Sequence, residues 1–92
     1  MIVRISTEGQ YRIPSALLDK LNQLDNSIVG VVATGDNEQF NKLYTEMIAL
    51  VRNQGEPLKP DEILESEVIL PPPDITIEDA KKLFIGSGLV PD

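Results

Sequence analysis

Apolar and polar positions alternate over the first thirteen residues of the chain. In the stretch IVRISTEGQYRI, Val3 and Ile5 fall on one side of an extended backbone, and Ile2 and Arg4 fall on the other. This period of two is typical of β-strands. Gly9 supplies a turn, and residues 10–13 form the return strand. The pattern predicts an N-terminal β-hairpin. This hairpin must pack against another part of the chain, because two strands alone are only marginally stable.

The spacing becomes helical after residue 13. Pro14 and Ser15 suit the start of a helix. The next apolar positions recur at intervals of four, three, four and three residues, and we call them the leucine stripe: Leu17, Leu21, Leu24, Ile28 and Val31. Gly30 lies within this helix at a cost of about 1 kcal/mol relative to alanine, which predicts a break or a close helix contact there. Gly35 is suited to end the helix in the left-handed conformation.

A second helix follows almost directly. Asp36 is placed to cap it, and Gln39 stands at the third position of a capping box. Its apolar face comprises Phe40, Leu43, Tyr44, Met47, Ile48, Leu50 and Val51. Because the link between the two helices is only one or two residues long, they must form an antiparallel αα-hairpin.

The amino-acid composition changes after Gly55, because five of the seven prolines fall within residues 57–73. Residues 67–70 are predicted to form a short third strand that joins the sheet of the hairpin. Thr76 and Asp79 then favour the start of a short terminal helix, which Gly86 would stop. We expect the apolar residues of this part to pack against the body: Val68, Ile69, Leu70, Ile75, Ile77, Leu83, Phe84, Leu89 and Val90. Residues 1–92 are therefore predicted to form one α+β domain, with an N-terminal β-hairpin, a central antiparallel αα-hairpin, a proline-rich segment with a short third strand, and a short C-terminal helix.

Composition narrows the range of functions. The formal net charge of −7 disfavours nucleic acid as a partner, because phosphates need a basic footprint. No polybasic cluster is present to bind anionic lipid, and the start of the chain has neither a signal peptide nor a transmembrane stretch. The chain has no histidine and no cysteine, which removes the commonest general base and the usual zinc ligands. We expect a cytoplasmic, non-enzymatic protein with no catalytic, cofactor-binding or metal-binding residues.

The densest run of carboxylates lies in the proline-rich segment, at Asp61, Glu62, Glu65 and Glu67. Its spacing lacks the glycine and the alternating ligands of a calcium loop, so a solvated acidic edge is favoured over a metal site. A surface that meets a partner is the second interpretation. A carboxylate enzyme or metal-binding protein remains a third, and it requires the four side chains to converge in a pocket.

The leucine stripe also has two interpretations. It is either the core between the two helices and the hairpin, or part of it contacts another helix in a coiled-coil-like manner. In the second case the contact is made with a partner protein or with another copy of this chain in a homo-oligomer.

Short blocks along nearly the whole chain resemble the PspAA family, whose members are small domains associated with phage-shock protein A. In order, these blocks are MIVRI, EGQYR, LNQLD, GEPL with DEI, VILPP, TIEDA and GLVP. The resemblance lies in the ordered series rather than in any one block.

This resemblance implies an adaptor or regulator in a PspA/Vipp-type membrane-stress system, with a PspA-type coiled-coil protein as its partner. Such a partner would recruit the domain to the inner face of the membrane without direct insertion. The residues that we expect to meet the partner are Glu62, Glu65 and Glu67, because acidic rim residues steer encounter and set specificity. The resemblance assigns no catalytic residue and no cofactor.

Overall fold

The computed structural model of the chain describes residues 1–59, 61–62 and 64–84. The predictions made for Gly86, Leu89 and Val90 lie outside these residues. The described elements, in chain order, are β1 (Ile2–Ile5), β2 (Gly9–Arg12), α1 (Leu18–Thr34), α2 (Asn37–Gln54), β3 (Glu56–Pro57), β4 (Val68–Leu70) and α3 (Ile77–Leu83). A short 3₁₀ turn, Ser15–Leu17, leads into α1. The predicted α+β class is confirmed.

The N-terminal hairpin forms as predicted, with β1 antiparallel to β2 and Arg4 opposite Gln10. The connecting turn uses two residues with positive φ, Thr7 at 73° and Gly9 at 137°. A glycine tolerates such angles without steric cost, whereas Thr7 is a β-branched residue in an uncommon conformation. Gly9 therefore serves the turn as expected, although it is also the first residue of β2.

The hairpin is the centre of a four-stranded sheet with the order β3-β2-β1-β4. The predicted third strand is present as β4, which pairs with β1 in parallel and sets Val3 opposite Val68. The sequence analysis did not predict β3, which pairs antiparallel with β2 through Glu56 and Pro57. Pro57 is tolerated because β3 is an edge strand. On the outer side of such a strand the backbone N–H groups have no neighbouring strand to pair with, so a residue without an N–H loses no hydrogen bond there.

The αα-hairpin covers the inner face of this sheet. Gly35, at φ 76°, ends α1 in the left-handed conformation, and the Asp36 carboxylate accepts a hydrogen bond of 3.1 Å from the N–H of Gln39. Both caps match the sequence prediction. Inward-facing residues of β1 and β4 join the buried helix residues in one core: Val3, Ile5, Leu21, Leu24, Ile28, Phe40, Tyr44, Met47, Ile48, Val51, Val68 and Leu70.

Two expectations about the first helix need revision. α1 is continuous through Gly30, and a Cβ built on Gly30 would meet no atom of the described residues outside the helix's own nearby backbone within 4 Å. The predicted break or close contact is therefore wrong. The leucine stripe is mostly core, since Leu21, Leu24 and Ile28 are buried, but Leu17 and Val31 are only half-buried.

The segment after β4 is held to the body by aromatic packing. Thr76 caps α3 by accepting a 3.3 Å hydrogen bond from the N–H of Asp79. Phe84 is buried and packs edge-on against the rings of Phe40 and Tyr44, with centroid distances of 6.4 and 5.9 Å. The Tyr44 hydroxyl donates a hydrogen bond to the carbonyl of Pro71. Through residue 84, the terminal segment is part of the core, as predicted.

Not every apolar residue of this segment packs inward. Ile69 is 57% exposed and Leu83 is 42% exposed, which corrects the expectation that both pack against the body. Ile69 lies between the buried Val68 and Leu70 on β4, and successive side chains of a strand point to opposite faces. Ile69 therefore lies on the outer face of the sheet, opposite Arg4 of β1.

Candidate partner-binding surface

The acidic residues singled out in the sequence lie in the irregular segment that connects β3 to β4. Glu62, Glu65 and Glu67 are all exposed. The N–H of Glu67 donates a 2.9 Å hydrogen bond to the carbonyl of Ile2, which ties the end of the segment to β1. All three carboxylates are therefore exposed on one stretch of chain that crosses the sheet from β3 at one edge to β4 at the other.

One buried side chain, Gln10 on β2, fixes the middle of this segment. Its amide nitrogen donates to the carbonyl of Leu64 at 2.5 Å and to the hydroxyl of Ser66 at 2.7 Å. Its amide oxygen accepts from the N–H of Leu64 at 3.4 Å. Gln10 is only 8% exposed. The Gln10 amide bonds both the N–H and the carbonyl of Leu64, as the backbone of a neighbouring strand would. These bonds fix the position of the segment relative to the sheet.

Two exposed apolar side chains lie among the three carboxylates. Leu64, which is 40% exposed, lies between Glu62 and Glu65 in the chain. Ile69 lies two residues after Glu67. We define the acidic edge surface as Glu62, Leu64, Glu65, Glu67 and Ile69. Isolated exposed apolar residues are ordinary on protein surfaces, but here Leu64 is held in one position by Gln10, Ile69 is held on β4, and carboxylates lie next to both in the chain.

A polar depression of about 250 Å³ adjoins this surface. Its walls include Arg4, Glu8, Gln10, Lys59 and Glu62. Glu62 therefore lies where two cations line the same hollow, whereas Glu65 and Glu67 do not line it. This difference makes Glu65 and Glu67 the carboxylates more directly available to a cationic partner.

The turn of the N-terminal hairpin is anchored to α2 beside this depression. The Arg52 guanidinium engages the Glu8 carboxylate with two parallel hydrogen bonds, one of them 3.0 Å from Nε to Oε2. A two-pronged pair of this kind fixes orientation as well as distance. Since Arg52 belongs to the last turn of α2, the pair locks the outer end of the hairpin to the helical layer.

Sequence reasoning missed the side chains that hold this region in place. Gln10 occupies an outward position of a hairpin strand, where a polar residue normally contacts only water, and nothing local reveals its contact with Leu64, 54 residues away. The Glu8–Arg52 pair spans 44 residues. Asp25 is fully buried within α1, although its sequence position beside Leu24 gives no sign of burial.

Within residues 1–59, 61–62 and 64–84, no group of three or more acidic, histidine or cysteine side chains is placed to hold a metal ion. The four carboxylates of the acidic run therefore do not converge in the way a metal site would require among these residues. No helix of the described part of the chain is long and apolar enough to cross a membrane.

Comparison with known protein families identifies the family of this chain. The PspAA family, described as PspA-Associated protein, matches residues 1–92, which is the entire chain. No curated protein and no solved structure shows a significant match. A match over the whole chain accounts for the ordered blocks from MIVRI to GLVP together, and the chain therefore belongs to the PspAA family of PspA-associated proteins.

Proposed function

We propose that this chain is a non-enzymatic adaptor that binds a PspA-type coiled-coil protein through the acidic edge surface. The family membership supports an association with the PspA system. The observation that carries the choice of surface is the placement of exposed Leu64 and Ile69 among three exposed carboxylates. Apolar anchors supply most of the affinity of such contacts, while rim charges govern the rate of encounter and the choice of partner.

The partner side of this contact is a helix with an apolar stripe and basic flanks. Such a helix can lay its stripe over Leu64 and Ile69 and direct lysine or arginine side chains toward Glu65 and Glu67. Because Gln10 already fixes the segment, little conformational freedom is lost on binding. The adaptor works in the cytoplasm and reaches the membrane only on its partner, since its net charge of −7 opposes anionic lipid.

Liposome flotation with purified proteins tests this function. The chain alone stays in the soluble fraction with vesicles containing anionic lipid, and adding its cognate PspA-type protein carries it upward with the vesicles. The triple variant Glu62→Lys/Glu65→Lys/Glu67→Lys loses this co-flotation while its thermal melting changes little, because all three side chains are exposed.

A matched control separates the surface from overall charge. Reversing Glu38, Glu56 and Asp74, which are also exposed, changes the formal net charge from −7 by the same amount and leaves co-flotation intact. Flotation of the chain without the partner, or equal losses in the two triple variants, contradicts the proposal. Leu64→Ser and Ile69→Ser then test the apolar anchors, and each weakens binding without altering the charge.

A further inference from the structure

A second surface, on the helical layer, is distinct from the acidic edge surface. A groove of about 380 Å³ runs between α1 and α2 and is lined by Lys20, Leu24, Glu46, Ala49, Leu50, Asn53 and Gln54. Leu24 forms the floor at 9% exposure, and Leu50 is half-buried. None of these residues belongs to the acidic edge surface.

The apolar positions beside this groove are spaced as in a coiled coil. On α1, Leu24 and Val31 lie seven residues apart, and on α2, Leu43 and Leu50 do the same. Residues seven apart on a helix point in nearly the same direction. Val31, Leu43 and Leu50 pack against the core but are only half-buried. Of these positions, Leu24 and Leu50 line the groove itself, one from each helix.

The charges on the groove walls are opposite and balanced. Lys20 stands on the α1 wall and Glu46 on the α2 wall, and the remaining polar lining is uncharged. Residues 18–54 carry five acidic and three basic residues, a net charge of −2, whereas the rest of the chain carries −5. In a chain with a formal charge of −7, the two charged residues that line this groove cancel, so that it presents no net like charge to a second copy.

We infer that this groove is a two-fold interface between two copies of the chain. In a two-fold interface the same patch of both copies forms the contact. If residue i of the first copy contacts residue j of the second, then residue j of the first also contacts residue i of the second. An axis that passes near Leu50 runs the two α2 helices antiparallel. Glu46 of one copy then lies opposite the end of the other copy's groove that contains Asn53. Lys20 lines the α1 wall at that end, so Glu46 of one copy faces Lys20 of the other. Two Lys20–Glu46 pairs flank a seam of Leu24 and Leu50.

Sedimentation equilibrium measured over a range from micromolar to millimolar concentration tests the interface. The wild-type chain shows a reversible monomer–dimer equilibrium. Lys20→Glu places two like-charge contacts in the dimer and raises its dissociation constant by about tenfold or more, and Glu46→Lys does the same. Both residues are exposed, so the fold of the monomer is retained, which circular dichroism verifies.

The decisive sample is an equimolar mixture of the two single variants, Lys20→Glu and Glu46→Lys. In a mixed dimer the two substituted side chains face each other in one pair, and the native Glu46 and Lys20 face each other in the second pair. Both pairs then join opposite charges again, so the dimer returns although each variant alone is monomeric. Lys42→Glu is the matched control, because it makes the same change in net charge as Lys20→Glu at an exposed residue that does not line the groove. It leaves the dissociation constant within about twofold of wild type.

Three outcomes overturn the inference. The first is a wild-type chain that stays monomeric at the highest concentration. The second is an equal loss of dimer in Lys42→Glu and Lys20→Glu, which indicates a general effect of charge. The third is a mixture that fails to restore the dimer. The triple reversal of the acidic edge surface leaves the dimer intact, so failure of this interface and failure of the adaptor proposal are distinguishable.

Discussion

The amide of Gln10 bonds both backbone groups of Leu64, a residue 54 positions further along the chain. Gln10→Ala removes this link, and since Leu64 is 40% exposed, water can replace the lost bonds. We expect a cost of about 1 kcal/mol in the free energy of unfolding. The larger effect is local, because the middle of the acidic segment loses its fixed position.

Hydrogen exchange measures this local effect. In Gln10→Ala the amide of Leu64 exchanges faster than in the wild-type chain. The amide of Glu67 serves as an internal control, because it bonds the carbonyl of Ile2 and does not depend on Gln10. Unchanged exchange at Leu64 would show that the segment is held by other contacts.

Stability at alkaline pH depends on Tyr44. Burial raises the pKa of its hydroxyl above the ordinary value of 10.0. The unfolded chain therefore releases this proton near pH 10 while the folded chain retains it. The contribution of Tyr44 is fully present below the unfolded pKa and declines as the pH rises above that value toward the folded pKa.

Tyr44→Phe tests both the titration and the hydrogen bond to Pro71. At neutral pH the variant loses about 1–2 kcal/mol, because the buried carbonyl of Pro71 is left without its donor. Between about pH 9 and pH 11 its unfolding free energy falls less steeply than that of the wild-type chain. Parallel pH profiles for the two proteins in urea titrations would contradict the assignment.

Two glycines are expected to respond in opposite ways to the same substitution. At Gly55 a Cβ would lie 2.5 Å from the carbonyl oxygen of Val51 and 2.8 Å from Cδ1 of Ile13, so Gly55→Ala destabilises the fold by about 1–3 kcal/mol. At Gly30 a Cβ meets open space, so Gly30→Ala stabilises α1 by about 1 kcal/mol. Thermal melting of both variants decides the point, and a lower melting temperature for Gly30→Ala would reveal a contact at that position.

Leu24→Asp is expected to unfold or severely loosen the domain. Leu24 lies in the core between α1 and α2 at 9% exposure, and an unpaired charge there costs several kcal/mol, on the order of the total stability of a small domain. Gln23→Asp, at the preceding and exposed position of α1, is the control and retains the melting temperature. A melting temperature for Leu24→Asp near that of wild type would mean that this position is not part of the core.

Metal titration addresses the remaining enzymatic alternative. Calorimetry with Ca²⁺, Mg²⁺ and Zn²⁺ is expected to show only weak surface association, because the chain lacks histidine and cysteine and has no ordered ligand loop. Glu65→Ala is the corresponding variant. A micromolar site that this substitution abolishes would favour the carboxylate interpretation instead.

The features that sequence reasoning predicted are those set by neighbouring residues. The left-handed cap at Gly35, the Asp36 cap and the Thr76 cap each depend on three or four adjacent positions. Most of the buried positions of α1 and α2 follow from spacing, although Asp25 and Val32 of α1 do not. The exposure of Glu62, Glu65 and Glu67 was also predicted, because unpaired carboxylates are rarely buried.

The features that it missed depend on residues far apart in the chain. β3 forms only because Tyr11 lies opposite Pro57 in the folded sheet, and a proline normally argues against a strand. The parallel direction of β4, the contact of Gln10 and the burial of Asp25 are likewise decided by the packing of whole elements. Ile69 was expected to be buried because it is apolar, yet the alternation along β4 places it on the outer face.

The parallel pairing of Val3 with Val68 has a consequence for synthesis on the ribosome. β1 is synthesised before both helices, but one of its two neighbours in the sheet is made 65 residues later. During translation β1 therefore has an unpaired edge while both helices are already available to collapse on it. Long-range pairings of this kind slow folding relative to the local helical contacts. The αα-hairpin can consequently cover the apolar face of β1 before β4 is made, while the edge of β1 that pairs with Val68 stays open until then.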